Sequence, residues 1–204
     1  MVVGLVEFSE MINDTLDQAV QRVKRSMLVV RNGHGAGAGV AWRKGGYVIT
    51  NKHVIGRGRV QVLLPDGRDV PAHLLASDPE IDLALLQVDA PTLPPALVAD
   101  SHNLRIGQMV LAVGHPWGQR NLVTAGIISG LSHAQTNGRR GSVPVIRSDV
   151  VLAPGNSGGP MVNAVGAVVG INTMIVGGDV GVAIPSQVVN SFVNEFLGEQ
   201  LEVS

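Results

Sequence analysis

The chain has 204 residues, 45% hydrophobic and 15% charged, with 26 Gly, 11 Pro and no Cys. This balance excludes a disordered or collagen-like chain and a disulfide-stapled scaffold, and the lack of Cys removes thiolate nucleophiles and Cys-ligated zinc. Fifteen Lys plus Arg against sixteen Asp plus Glu give a formal net charge of -1. No broad cationic field remains, so no nucleic-acid partner is expected.

No stretch approaches the roughly 18 uninterrupted apolar residues of a membrane span. The first dozen residues also lack the basic start and apolar run of a signal peptide. The length suits one domain, or two small ones sharing a cleft.

In chain order, residues 9–25 are predicted as an amphipathic helix. Ser9 is its cap, and Ile12, Leu16, Ala19, Val20, Val23 and Met27 recur at steps of three and four. Short β-branched or apolar runs follow at 27–30, 39–42, 47–50, 60–64, 70–75 and 83–88, punctuated by Gly45-Gly46 and by Pro65, Asp66 and Gly67. A Pro-rich stretch at 91–95 breaks the pattern. Six more runs then occupy 109–113, 122–131, 143–149, 160–163, 167–174 and 181–184, and Val188, Val189, Phe192, Val193 and Phe196 line one face of a closing helix over 185–198. Short strands with turn signals every eight to twelve or so residues predict an all-β fold, a barrel or a sandwich, in two sets of about six antiparallel strands: a first unit over 27–98 and a second over 101–184.

The run PGNSGGP at 154–160 carries the sharpest chemical signal. Nucleophilic acyl transfer needs a hydroxyl on a tight turn, with successive backbone N–H groups aimed at the developing oxyanion, and Gly permits that turn without a Cβ clash. Gly155 and Ser157 are placed to supply those groups. A serine alone is a weak nucleophile and demands a base with a partner that orients it. His53 follows the apolar run Val48-Ile49, and Asp82 opens the buried-looking run from Leu83, where a carboxylate is costly unless hydrogen-bonded. His34, His73, His102, His115 and His133 show no paired-ligand spacing, so no metal site is expected. The glycine run at 33–39 imitates a dinucleotide-binding turn, but Gly45-Gly46 denies it the helix such a turn must open into, and a barrel turn is the better reading.

These segments resemble the protease domain of the HtrA/Deg family of trypsin-like serine proteases. The likeness runs over residues 8–186 and includes GAGAGVAW, YVITNKHVI, EIDLALLQV, AVGHPWG, TAGIISG, APGNSGGPMV, GINTMIVGG and GVAIPS, in the family's order. It implies two six-stranded antiparallel β-barrels of chymotrypsin fold forming a single domain over 1–204, without a PDZ domain. It also implies a nucleophile at Ser157, a general base at His53, an orienting acid at Asp82, and oxyanion-loop positions at Gly155, Asn156 and Ser157. Val151, six residues before Ser157, takes the position at the base of a trypsin-like specificity pocket, with Leu152 beside it.

The implied activity is ATP-independent endoproteolysis of unfolded or damaged polypeptides, without a cofactor. The alternatives are a chaperone-like binding module with the triad held inactive, and an esterase. A homotrimer formed through the N-terminal segment around Phe8 is expected. Family members are usually exported, so a chain without a signal sequence is either an excised mature domain or a cytoplasmic form.

Overall fold

The computed structural model describes residues 2–33, 35–115, 122–136, 138–176 and 180–202, with side chains except at 2–6, 8, 174–176 and 199–202. All twelve strand segments form. The first six are β1 (Met27–Arg31), β2 (Ala36–Arg43), β3 (Tyr47–Asn51), β4 (Val60–Leu63), β5 (Asp69–Asp78) and β6 (Leu83–Val88), which close into a barrel in the order β1-β2-β3-β6-β5-β4. The second six are β7 (Met109–Gly114), β8 (Leu122–Gln135), β9 (Ser142–Ser148), β10 (Pro160–Asn163), β11 (Val168–Val176) and β12 (Val180–Pro185), closed as β10-β11-β12-β9-β8-β7. Every pairing within the barrels is antiparallel. Closure leaves neither sheet with a free edge.

Three apolar clusters hold the molecule. Leu28, Val48 and Leu86 belong to the interior of the first barrel, and Val110, Ile146 and Met161 to that of the second. The third cluster joins the barrels, uniting Trp42, Ile49, Leu83 and Leu85 with Val113 and Ile171. Strand β2 is therefore buried on both faces, from Gly37 through Trp42, because one face lines its own barrel and the other meets the neighbour. At about 1.5–3 kcal/mol per large apolar side chain, this seam is a major source of stability and fixes the cleft between the barrels.

Helix α1 spans Val2–Lys24, so Ser9 lies inside it rather than capping it. Apolar residues continue upstream of Ser9 with no Pro to stop the helix. Its lower half docks: Ala19 and Val23 are fully buried and Leu16 and Val20 partly so, whereas Met11 and Ile12 are exposed. Met27 belongs to β1 and not to the helix. The turn that receives α1 needs Gly166, whose φ is +77° and where a Cβ would lie 2.6 Å from the Ala19 carbonyl oxygen.

Helix α3, Ser186–Glu202, starts and ends later than expected, because Pro185 completes β12 opposite Gly170. Trp42 Nε1–H and Arg43 Nη2–H both donate to Asn190 Oδ1 and tie α3 to β2. Strands β5 and β8 run beyond their apolar stretches, each through a register shift, between Leu74 and Ala76 and between Ile128 and Gly130. Among the described residues, no helix is long and apolar enough to cross a membrane.

Candidate active site

His53 follows β3 directly, in the short helix α2 (Lys52–Ile55). The turn into α2 wraps around Asp82. Lys52 N–H and Asn51 Nδ2–H donate to the Asp82 carbonyl oxygen at 3.1 and 3.0 Å, and His53 N–H donates to Asp82 Oδ1 at 3.0 Å. The imidazole Nδ1 lies 2.8 Å from Asp82 Oδ2. An ionised carboxylate can only accept, so Nδ1 is the donor, and in a neutral imidazole Nε2 then keeps its lone pair. The His53 side chain is 50% exposed and that of Asp82 21%. The imidazole is therefore the more accessible of the two and the carboxylate the more buried.

Asp82 has a φ of +54°, the one positive φ at a non-glycine residue among those described. Asp is among the few side chains that tolerate this backbone, which here turns the carboxylate toward His53 while Leu83 enters the core. Burial raises the Asp82 pKa, but hydrogen bonds from the His53 ring, from Thr173 and from the His53 amide outweigh it, and the carboxyl lies below its ordinary value.

Thr173 supplies a contact that sequence reading missed. It is the extra residue in a register shift of β11, with Asn172 opposite Ala183 and Met174 opposite Val182. Outside the ladder, it addresses two site residues at once. Its Oγ1–H donates to Asp82 Oδ2 at 2.6 Å, and its carbonyl accepts Ser157 Oγ–H at 2.8 Å. The signal was a polar residue inside an apolar strand run, but the face it takes depends on the bulge.

The loop carrying Ser157 is shaped by glycine: Gly155 and Gly158 have φ of +104° and +81°. It is pinned by the Ser157 carbonyl accepting Ala38 N–H at 2.8 Å from β2, and by Gly158 N–H donating to the Asn172 carbonyl at 2.9 Å. A Cβ at Gly158 would fall 2.1 Å from the Ala38 carbonyl oxygen, so the loop lies directly against the first barrel. Asn156 is buried and its N–H donates to the Ala153 carbonyl. The N–H groups of Gly155 and Ser157 find no acceptor among the described residues.

A cavity of about 600 Å³ opens beside these groups, lined by His53, Pro79, Asp82, Leu152, Ala153, Pro154, Asn156, Ser157 and Thr173. Leu152 stands in its wall. Val151 is 70% exposed and is not among the described residues of this lining. The chain has left β9 at Ser148, so regular alternation no longer fixes which side chain faces inward. Residues 116–118 of the AVGHPWG segment, residues 177–178 of GINTMIVGG and the side chain of Phe8 lie outside the described residues. Among the described residues, no cluster of His, Cys, Asp or Glu is arranged to hold a metal ion.

Known proteins carry the same pattern. The trypsin-like peptidase domain family matches residues 37–171. A "Probable periplasmic serine endoprotease DegP-like" of Marinomonas sp. (strain MWYL1) is 46% identical over 165 residues, 78% of this chain and 35% of that protein. A protein of the same description from Chlamydia pneumoniae is 35% identical over 167 residues, 79% of this chain and 34% of its own length. The chain thus spans about a third of the length of these curated relatives. Among solved structures, "HtrA-type protease AlgW with decapeptide" superposes with a TM-score of 0.81 at 30% identity, covering 90% of this chain and 67% of that one. The double barrel, the relatives and the family match agree: this chain belongs to the trypsin-like peptidases, as a protease domain of HtrA/Deg type.

Proposed function

We propose that the chain is a cofactor-independent serine endopeptidase, with Ser157 as nucleophile, His53 as general base and Asp82 as the residue that orients it. The carrying observation is the chain of contacts from Ser157 through Thr173 to Asp82 and His53, closed around one cavity. For attack, Ser157 Oγ turns from the Thr173 carbonyl toward His53. The Oγ–C bond forms as Nε2 takes the hydroxyl proton, and the N–H groups of Gly155 and Ser157 hold the oxyanion. His53 then protonates the leaving amine as the C–N bond breaks, and a water repeats the sequence on the acyl-enzyme. Asn156 shapes the loop, and Leu152 forms an apolar wall of the specificity pocket.

Unfolded or damaged polypeptides are the substrates we assign, on the likeness to the serine endoproteases described as DegP-like. The curated relatives named periplasmic support an extracytoplasmic site of action for this chain. Exposed Met11 and Ile12 on α1 support assembly into a homotrimer through the N-terminal segment. The test is casein hydrolysis by the wild type and by Ser157→Ala, both shown folded by circular dichroism. Loss of cleavage in the variant alone supports the reading, and equal rates overturn it.

A further inference from the structure

The β8–β9 hairpin leaves the second barrel and ends on the first, at the turn that delivers Asp82. The N–H groups of Arg139 and Arg140 donate to the two carboxylate oxygens of Glu80, each at 2.9 Å. Gly138 lies against the same carboxylate so closely that a Cβ would fall 2.1 Å from Glu80 Cδ. Arg140 Nη2 pairs with Asp78 Oδ2 at 2.8 Å, while Asp78 Oδ1 accepts Glu80 N–H at 2.8 Å. The hairpin tip and the turn thus meet through two successive backbone amides on one carboxylate, framed by an ion pair and a glycine.

Three consecutive residues then divide the work. Glu80 is held by the hairpin of the second barrel. Ile81 is 5% exposed and packs into the cluster between the barrels. Asp82 follows with its left-handed backbone and carries the carboxylate that binds His53. The ion pair of Arg140 and Asp78, half-exposed on its Arg140 side, is a single contact that does not by itself fix direction. Two amides on one carboxylate differ, because they fix position and direction together. The hydrogen bonds from the Arg140 and Arg139 amides also hold the Glu80 carboxyl below its ordinary pKa, so the contact is made to the charged form.

We propose that Glu80 is a positioning residue: by gripping the β8–β9 tip it braces the 78–82 turn and keeps Asp82 in register with His53. The proposal rests on the reading of His53, Asp82 and Ser157 as the catalytic groups. It makes the hairpin tip, sixty residues away in sequence and on the other barrel, part of what sets the orientation of the base.

Glu80→Gln and Gly138→Ala break the contact from opposite sides. The amide replaces one accepting oxygen with an NH₂ that faces an N–H donor, and the new methyl occupies the space of the carboxylate. Each single variant should lose about tenfold in kcat on an apolar fluorogenic peptide, with KM within about twofold, as expected when a catalytic group is misplaced. The double variant should lose no more than the worse single one. In proton NMR, the wild type should show a downfield His53 Nδ1–H signal, and it should weaken in all three variants while circular dichroism stays native.

Wild-type kcat in Glu80→Gln, an unchanged Nδ1–H signal, or fully multiplicative losses in the double variant overturns the proposal. Should Gly138→Ala fail to fold, the isosteric Glu80→Gln decides alone. Wild type and Ser157→Ala run alongside separate the two ideas. If they cleave equally, the assignment of the catalytic groups has failed. If they differ and Glu80→Gln behaves as wild type, Glu80 alone has been misassigned.

Discussion

Thr173 donates its hydroxyl to Asp82 Oδ2 at 2.6 Å, on the same oxygen that receives His53 Nδ1–H. The shared oxygen makes Thr173 part of the geometry that holds His53. Replacing it by Val keeps the branched shape and removes the donor. Thr173→Val should lower kcat by about ten- to a hundredfold through misorientation of His53. It should also lower stability by about 1.5–3 kcal/mol, the usual worth of a hydrogen bond to a charged group. Peptide kinetics and urea unfolding measure both, and a variant with wild-type values would show that His53 alone suffices to hold Asp82.

Ser157→Ala and His53→Ala should each abolish peptide hydrolysis while leaving the fold intact, since neither side chain is part of a core cluster. Groups that act as one unit lose nearly as much singly as together. Asp82→Asn should retain more activity than either, because it keeps the shape beside His53 while favouring the wrong tautomer. Single-turnover labelling with a fluorophosphonate, compared with casein cleavage, reads both effects. Labelling of Ser157→Ala at the wild-type rate would place the nucleophile elsewhere.

The strands, and the His53, Asp82 and Ser157 side chains that meet around one cavity, were legible because their signals are local: apolar runs cut by Gly and Pro turns, and a serine between glycines. What stayed hidden depends on register and distance. Thr173 reaches Asp82 because β11 slips between Asn172 and Met174, a shift set by barrel closure. Counting back from Ser157 puts Val151 at the base of the pocket, but residues 149–152 follow no strand alternation and Val151 is 70% exposed, so counting alone does not fix which side chain enters the cavity. The start of α1 was misplaced at Ser9 because a capping residue within a longer apolar repeat looks like a beginning. The Glu80 contact joins residues about sixty positions apart, beyond the reach of any local pattern.

Cleavage should follow small or medium apolar residues and not Lys or Arg. Leu152 and Ala153 line the cavity, and among the described lining residues the carboxylate, Asp82, is already engaged by His53 and Thr173. A substrate cation there would be desolvated without a partner, a cost of about 1–3 kcal/mol or more. Mass spectrometry of casein fragments gives the answer, and a majority of cuts after Lys or Arg would overturn this reading of the pocket. Leu152→Phe should shift the preference toward smaller residues by filling the wall.

The acid limit of stability should carry the mark of Asp82. Its folded-state pKa is lowered despite burial, by the His53 ring, Thr173 and the His53 amide, whereas in the unfolded chain an Asp titrates near about 3.9. The native state therefore binds fewer protons than the unfolded state across the interval between the two values. The stabilisation is fully present above about pH 4–5 and is lost as pH falls through the depressed folded value. Glu80 and Asp66 are lowered as well, but they titrate alike in the wild type and in Asp82→Asn, and cancel when the two are compared. From pH 5 down to about pH 2.5, the difference in urea-unfolding free energy between the wild type and Asp82→Asn should shrink, because protonation takes from the wild type what the amide never had. Light scattering at each pH keeps dissociation of an assembly from imitating the trend. A difference that stays constant across this range would mean that the Asp82 carboxylate gains nothing on folding, and that its contacts with His53 and Thr173 are not made in solution.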